Sequence, residues 1–136
     1  MVSPALRTWF VIHFVADMMF GLPLLVAPTV VMGLFGWQII DPFTARLVGA
    51  ALLGVGGVSL VVRNAGAETF RAMLDLKLIW SGAAIVGMLL TLWQGDAPPA
   101  GWLFVGIFVL FFSVWAYHRR QLGASRTHAE PPPDRS

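Results

Sequence analysis

Four apolar stretches constrain the fold of this chain more than any other feature. They run from about residue 6 to 27, 43 to 62, 70 to 93 and 101 to 117. An α-helix rises 1.5 Å per residue, so each stretch is long enough to cross about 30 Å of hydrocarbon. None shows the strict apolar and polar alternation of a barrel strand, and helices are the other structure that satisfies the backbone in lipid. The sequence therefore predicts an all-α bundle of four transmembrane helices within residues 1–120.

The composition supports a membrane protein and excludes several kinds of site. Only 12% of the residues are charged, against about 25% in soluble domains. The chain contains no cysteine, which excludes disulfides, thiolate nucleophiles, cysteine-ligated zinc and iron–sulfur clusters. The nine basic residues flank the apolar stretches and form no separate face, so we expect no nucleic-acid partner. No small-x-small cleavage site follows the first apolar residues, so we expect the first helix to be retained.

The distribution of arginine predicts the orientation. With four crossings, seven arginines fall on one side: Arg7, Arg63, Arg71, Arg119, Arg120, Arg126 and Arg135. The opposite side has only Arg46. Cytoplasmic loops of membrane proteins carry the excess of Lys and Arg, so both termini should be cytoplasmic. We therefore expect a multi-pass inner-membrane protein whose partner is the lipid bilayer.

Two further segments connect or follow the spans. Pro28 should end the first helix, and residues 29–40 are apolar but too short to span, so we expect an interfacial segment on the outer surface. Residues 121–136 have little to bury and end in Pro-Pro-Pro-Asp-Arg-Ser. We expect this tail to be disordered.

Small residues on the second and third spans suggest close helix packing. Pairs spaced four apart allow neighbouring backbones to approach. Such packing could lie inside one bundle or along a homodimer seam. The candidates are Gly49, Ala50, Gly54 and Gly57 on the second span, and Ala83 and Gly87 on the third.

Charged and titratable side chains inside the spans give the sharpest chemical clue. His13 and Asp17 are four residues apart and share a helix face. Lys77 lies six residues past Arg71 and His13 six past Arg7, so both lie roughly 9 Å deep. We expect a buried His13–Asp17–Lys77 cluster. It could be a structural ion pair that fixes helix register, a proton relay or ion-coupling site, or a ligand site.

Other candidates are weaker. Arg46 opens the second span and could be an interfacial cation, or an anchor for a carboxylate or lipid phosphate. His118 lies at the membrane boundary while His13 is deeper, so the two do not suit a haem. We expect no metal and no cofactor, because no ligand spacing suggests either. No catalytic motif is present, which argues against an enzyme.

The most patterned part of the chain resembles a known group of proteins. Residues 46–60 read RLVGAALLGVGGVSL and residues 63–81 read RNAGAETFRAMLDLKLIWS, with FGLPLL at 20–25 and AP at 27–28. Over about residues 10–115 the chain resembles small, uncharacterised bacterial four-helix membrane proteins of the loosely DoxX-like kind. The resemblance implies a fold and a membrane location but no reaction. If the resemblance holds, Asp17 lies outside the patterned segments. The polar positions within those segments are Arg46, Arg63, Arg71, Lys77 and Ser81.

These sequence features favour two functions. The first is an accessory or interaction subunit of a membrane complex, organised by the glycine face of the second span, with a homo-oligomer or another membrane protein as partner. The second is a small proton- or ion-coupled carrier or channel that uses Asp17, His13 and Lys77. An enzyme is the least favoured class.

Overall fold

The computed structural model describes residues 1–127 and the side chains of residues 1–124. This part of the chain is helical, without strands. Its five helices are α1 (Pro4–Val26), α2 (Pro28–Leu34), α3 (Pro42–Val61), α4 (Ala67–Gln94) and α5 (Gly101–Thr127). Four of them, α1, α3, α4 and α5, are long and apolar enough to cross a membrane. The predicted all-α bundle of four membrane-spanning helices is confirmed.

Local sequence signals set the helix boundaries. The Ser3 hydroxyl accepts a hydrogen bond from the Leu6 N–H at 3.2 Å and caps α1. The Asp41 carboxylate caps α3, where it accepts hydrogen bonds from the backbone N–H groups of Phe43 and Thr44. A hydrogen bond from the Thr44 hydroxyl, together with these two, holds the pKa of Asp41 below its usual value. Gly95 ends α4 in the left-handed region, at φ 80°.

The segment after α1 contains one short helix. The backbone leaves the helical conformation at Ala27, where φ is −134°. Pro28 begins α2, which has 7 residues. Proline suits the first position of a helix because its missing N–H is not needed there. The helix α2 packs against α1 and α3.

The last helix is longer than its apolar stretch. The predicted disordered tail was expected to begin at residue 121, but α5 continues past that boundary, to Thr127. Residues 128–136, the rest of the predicted tail, lie outside the described residues. The helix continues because residues with good helix propensity follow the apolar stretch, and Leu122 is buried against the core.

The bundle consists of two closely packed helix pairs. The backbones of α1 and α3 approach each other closely, as do those of α4 and α5. Large side chains fill the layer between the pairs at the arginine-rich end. There the Phe10 ring of α1 lies 4.6 Å from the Phe70 ring of α4 and 5.6 Å from the Trp115 ring of α5, centre to centre.

Glycines on facing positions make the α1–α3 contact possible. A Cβ atom on Gly49 would lie 2.9 Å from the Gly21 carbonyl oxygen and 3.0 Å from the Leu25 nitrogen. A Cβ on Gly56 would lie 2.5 Å from the Cβ of Asp17. Real Cβ atoms do not come this close to fixed atoms, so only glycine fits at either position.

The other predicted packing residues face away from the chain's own helices. No atom of a neighbouring element lies within 4 Å of where a Cβ would stand on Gly54, Gly57 or Gly87. Ala50 and Ala83 are exposed. Gly49 thus packs against α1 inside the bundle, whereas Gly54, Gly57 and Gly87 meet no neighbouring helix among the described residues, and the homodimer seam stays a prediction. Sequence spacing alone does not show which side of an all-apolar helix faces a neighbour.

Candidate functional site: a buried polar cluster

Four polar side chains meet in the interior of the bundle, and we call them the buried polar cluster. His13 and Asp17 come from α1, Ser59 from α3 and Lys77 from α4. Their exposed fractions are 7%, 6%, 0% and 1%, respectively. The structure thus brings together His13, Asp17 and Lys77, as the depth argument predicted.

Histidine connects the two charged residues. The Nδ1 atom of His13 lies 2.9 Å from Oδ2 of Asp17 and 3.1 Å from Nζ of Lys77. In the described part of the chain, no direct hydrogen bond joins Lys77 to Asp17. Lysine and aspartate therefore interact through the imidazole ring instead of forming the simple pair that the sequence suggested as one alternative.

Serine provides the second contact of the lysine. The Lys77 ammonium donates to the Ser59 hydroxyl at 2.7 Å, and that hydroxyl donates to the Val55 carbonyl at 2.7 Å. The bond to Val55 orients the Ser59 oxygen so that its lone pair points to the lysine. Lys77 is thereby tied to α3 as well as to α1.

The shared nitrogen of His13 decides the chemistry of the cluster. In a neutral imidazole, each ring nitrogen is either a donor or an acceptor. If Nδ1 carries the proton, it donates to Asp17 and cannot accept from Lys77. If Nδ1 is bare, it accepts from Lys77, and Oδ2 of Asp17 then lacks a donor among the described side chains.

The two arrangements differ in the position of one proton. A buried carboxylate oxygen without a donor costs free energy, which binding a proton relieves. When a further proton enters, so that both ring nitrogens of His13 are protonated, Nδ1 can pass its proton to Oδ2 of Asp17 at 2.9 Å, which leaves a neutral imidazole protonated at Nε2 and a carboxylic acid. A short proton path of this kind needs no large movement of the side chains.

Aromatic rings enclose the cluster on the α5 side. Nζ of Lys77 lies 5.0 Å from the ring centres of both Phe10 and Trp115. The His13 ring meets Phe111 edge to face at 4.8 Å and Trp115 at 5.2 Å. The faces of aromatic rings attract a cation, so these contacts stabilise the ammonium form of Lys77 while excluding water.

Glycine gives Asp17 its space. The absence of a side chain at Gly56 leaves room for the Asp17 carboxylate, since a Cβ there would lie 2.9 Å from Oδ2. Sequence reasoning missed both Gly56 and Ser59 as parts of the site. One signal was available: Gly49 and Gly56 are seven residues apart, with Ser59 three further on, which places all three on one face of α3.

Arg46 lies apart from the buried polar cluster. Its Nε donates to the Leu25 carbonyl at 3.2 Å. This carbonyl is among the last four of α1, which have no partner within their own helix. Arg46 thus caps the end of α1 from the start of α3, a structural role that the sequence reasoning did not consider.

Within the described residues, no group of three or more His, Asp or Glu side chains could hold a metal ion. No protein-family model matches the chain, and no curated protein or solved structure is significantly similar to it. The resemblance to DoxX-like proteins remains an expectation, and the buried polar cluster is the feature of the molecule that points to a function.

Proposed function

We propose that this multi-pass membrane protein is a small proton-coupled carrier, in which the buried polar cluster binds and releases the coupling proton. One observation carries the proposal. A single nitrogen, Nδ1 of His13, lies within hydrogen-bonding distance of both the Asp17 carboxylate and the Lys77 ammonium. Because it can serve one partner at a time, a proton added to the cluster can lie on His13 or pass to Asp17.

The location of the cluster supports this function. Ionisable residues inside membrane spans are costly and commonly mark proton or ion paths. A negative Asp17 and a positive Lys77 cancel each other's charge, so a neutral His13 leaves the cluster uncharged. One added proton makes it positive, and the electrostatic cost of that change can be coupled to movement of the helices.

We place the protein in the inner membrane with both termini in the cytoplasm. The support is the grouping of arginines at one end of the bundle. Arg7 donates to the carbonyls of Arg63 and Ala65, and Arg71 donates to the carbonyl of Leu122. These contacts join the start of α1, the α3–α4 turn and the end of α5, the parts that the positive-inside rule assigns to the cytoplasm.

Proton flux into liposomes tests the proposal. Purified protein is reconstituted with a pH-sensitive dye inside, and a potential is applied with valinomycin and potassium. We expect flux from the native protein and none from Asp17→Asn, which keeps the shape of the side chain but cannot carry the charge. Asp96→Asn is the matched control, since Asp96 is exposed between α4 and α5. Equal flux in the native protein and Asp17→Asn contradicts the proposal.

A purely structural ion network predicts no proton flux from the native protein. With either role, Asp17→Asn leaves an unbalanced Lys77 in the interior and lowers the melting temperature. Adding Lys77→Met then restores part of the stability. Measuring flux and melting temperature on the same preparations separates the two roles, because a folded variant without flux supports only the carrier.

A second candidate function is supported by another observation. Gly54, Gly57 and Gly87 present open faces with no neighbour from the chain's own helices. Small residues allow a helix of another protein to approach closely, as an accessory subunit of a membrane complex requires.

The test of this second function is native mass spectrometry of the protein released gently from its own membrane. Gly54→Leu should dissociate a complex that the native chain forms. Gly106→Leu is the control, because Gly106 on α5 is equally open. A complex that survives Gly54→Leu contradicts the interpretation.

A further inference from the structure

A second buried histidine lines a cavity at the arginine-rich end of the bundle. The cavity has a volume of about 320 Å³ and lies between the start of the chain and the last turns of α5. That volume is at the lower end of the range for small-molecule sites, about 300–1,000 Å³. The cavity is separate from the buried polar cluster, with which it shares no residue. Its lining consists of Met1, Ser3, Leu6, His118, Gln121 and Leu122, together with Ala124.

His118 is a polar side chain of this cavity that has no hydrogen-bond partner in the described part of the chain. Only 5% of its surface is exposed. Its ring meets the ring of its neighbour Tyr117 edge to face, at 5.2 Å between centres. Its ring nitrogens remain accessible from the cavity, where they are available for a hydrogen bond to a ligand.

The charges around the cavity favour an anion. Among the side chains that the structure describes, this end of the bundle has five arginines, none of which lines the cavity itself, against the two carboxylates of Glu68 and Asp75. Asp75 is already paired, because Arg119 donates to both of its oxygens, at 2.6 and 3.2 Å. The excess positive charge attracts anions and repels cations.

The lining also provides donors and an apolar wall. The Ser3 hydroxyl uses a lone pair to accept from Leu6, which leaves its O–H free to donate. His118 contributes a ring N–H. The side chains of Leu6 and Leu122 form an apolar side suited to the glycerol and first methylene groups of a lipid. Donors, positive charge and an apolar wall together match a phosphate group, either on a lipid or free in solution.

We propose that this cavity is a phosphate-binding site in which His118 and Ser3 donate hydrogen bonds to the phosphate oxygens. The site is independent of the proton-coupled function, and either proposal can fail without the other. It assigns His118 a role in ligand binding, where the sequence only placed it at the membrane boundary.

Native mass spectrometry in a maltoside detergent tests the site. The protein is titrated with phosphatidylglycerol, with phosphatidylcholine and with inorganic phosphate. We expect His118→Ala to weaken phosphate binding about tenfold, the effect of losing one hydrogen bond to a charged group. Ser113→Ala is the control on the same helix, since Ser113 is exposed and its hydroxyl donates to Val109.

The three ligands separate the possible sources of the phosphate. Saturable binding of phosphatidylglycerol in preference to inorganic phosphate supports a lipid headgroup, and the reverse supports free phosphate. If His118→Ala does not fold, His118→Gln retains an N–H donor and should keep most of the binding, while His118→Phe should lose it. The proposal is overturned if the native protein, His118→Ala and His118→Phe bind equally well. It is also overturned if the native protein binds none of the three ligands saturably.

Discussion

Replacing Gly56 with alanine tests how the α1–α3 contact makes room for the buried carboxylate. In Gly56→Ala, the new Cβ would lie 2.5 Å from the Cβ of Asp17. Carbon atoms pack best at about 3.5–4.0 Å, so α1 and α3 must separate by about 1 Å. Both Cβ atoms are fixed to their backbones, and no change of rotamer relieves the overlap.

The size of the effect follows from comparison with Gly54→Ala on the same helix. Alanine favours a helix over glycine by about 1 kcal/mol, and this gain applies equally to both variants. Nothing lies within 4 Å of a Cβ at Gly54, so that variant shows the gain alone. Overpacking costs about 1–3 kcal/mol, and rigid backbone overlap belongs at the upper end. Gly56→Ala should therefore be about 2–3 kcal/mol less stable than Gly54→Ala.

The assay is reversible unfolding in mixed micelles, with the free energy of unfolding obtained by extrapolation to zero denaturing detergent. Gly49→Ala is a second test, since its Cβ would meet the backbone of α1. We expect it to lose stability as well. Equal stabilities for Gly56→Ala and Gly54→Ala would refute the close approach of α1 to α3 and, with it, the position of Asp17.

Three further predictions concern single polar groups. Asp17→Asn should lower the free energy of unfolding by about 3–5 kcal/mol, because it leaves a buried charge unpaired. A double-mutant cycle with Lys77→Met should show that the two losses of stability do not add. Ser59→Ala should lower the free energy of unfolding by about 1–3 kcal/mol, because it removes the hydroxyl that accepts a hydrogen bond from Lys77. Ser113→Ala should have little effect in the same unfolding assay. The lowered pKa of Asp41 means that its contribution to stability is present above its unfolded pKa and is lost as the pH falls through its folded pKa. Asp41→Asn keeps a helix cap and should remove this part of the pH dependence, which lies at and below the ordinary pKa of aspartate, as measured by thermal unfolding.

Some of the architecture could be predicted because it depends on lengths along the chain. Four apolar stretches long enough to cross a membrane predicted the four helices. The helical rise per residue, counted from Arg7 and from Arg71, placed His13 and Lys77 at the same depth. Both inferences use distances along a helix axis, which the sequence contains directly. The predicted grouping of His13, Asp17 and Lys77 followed from them.

The remaining features depend on rotation about the helix axis, which an all-apolar sequence does not specify. The helix α3 carries small residues on several sides, so the sequence did not reveal that Gly49, Gly56 and Ser59 face α1 and α4. For the same reason the sequence left open whether Gly54 and Gly57 pack inside one bundle or along a homodimer seam. The position of the His13 ring between Asp17 and Lys77 depends on side-chain rotamers, which spacing along the chain cannot give.

The position of the proton on His13 is the central claim, and nitrogen-15 NMR of histidine-labelled protein in lipid bilayers measures it directly. The His13 signals are assigned by their loss in His13→Gln. The account predicts that Nδ1 exchanges between protonated and bare forms as the pH changes, and that Asp17→Asn removes the exchange. A single fixed form of Nδ1 at every pH, unaffected by Asp17→Asn, would contradict the account.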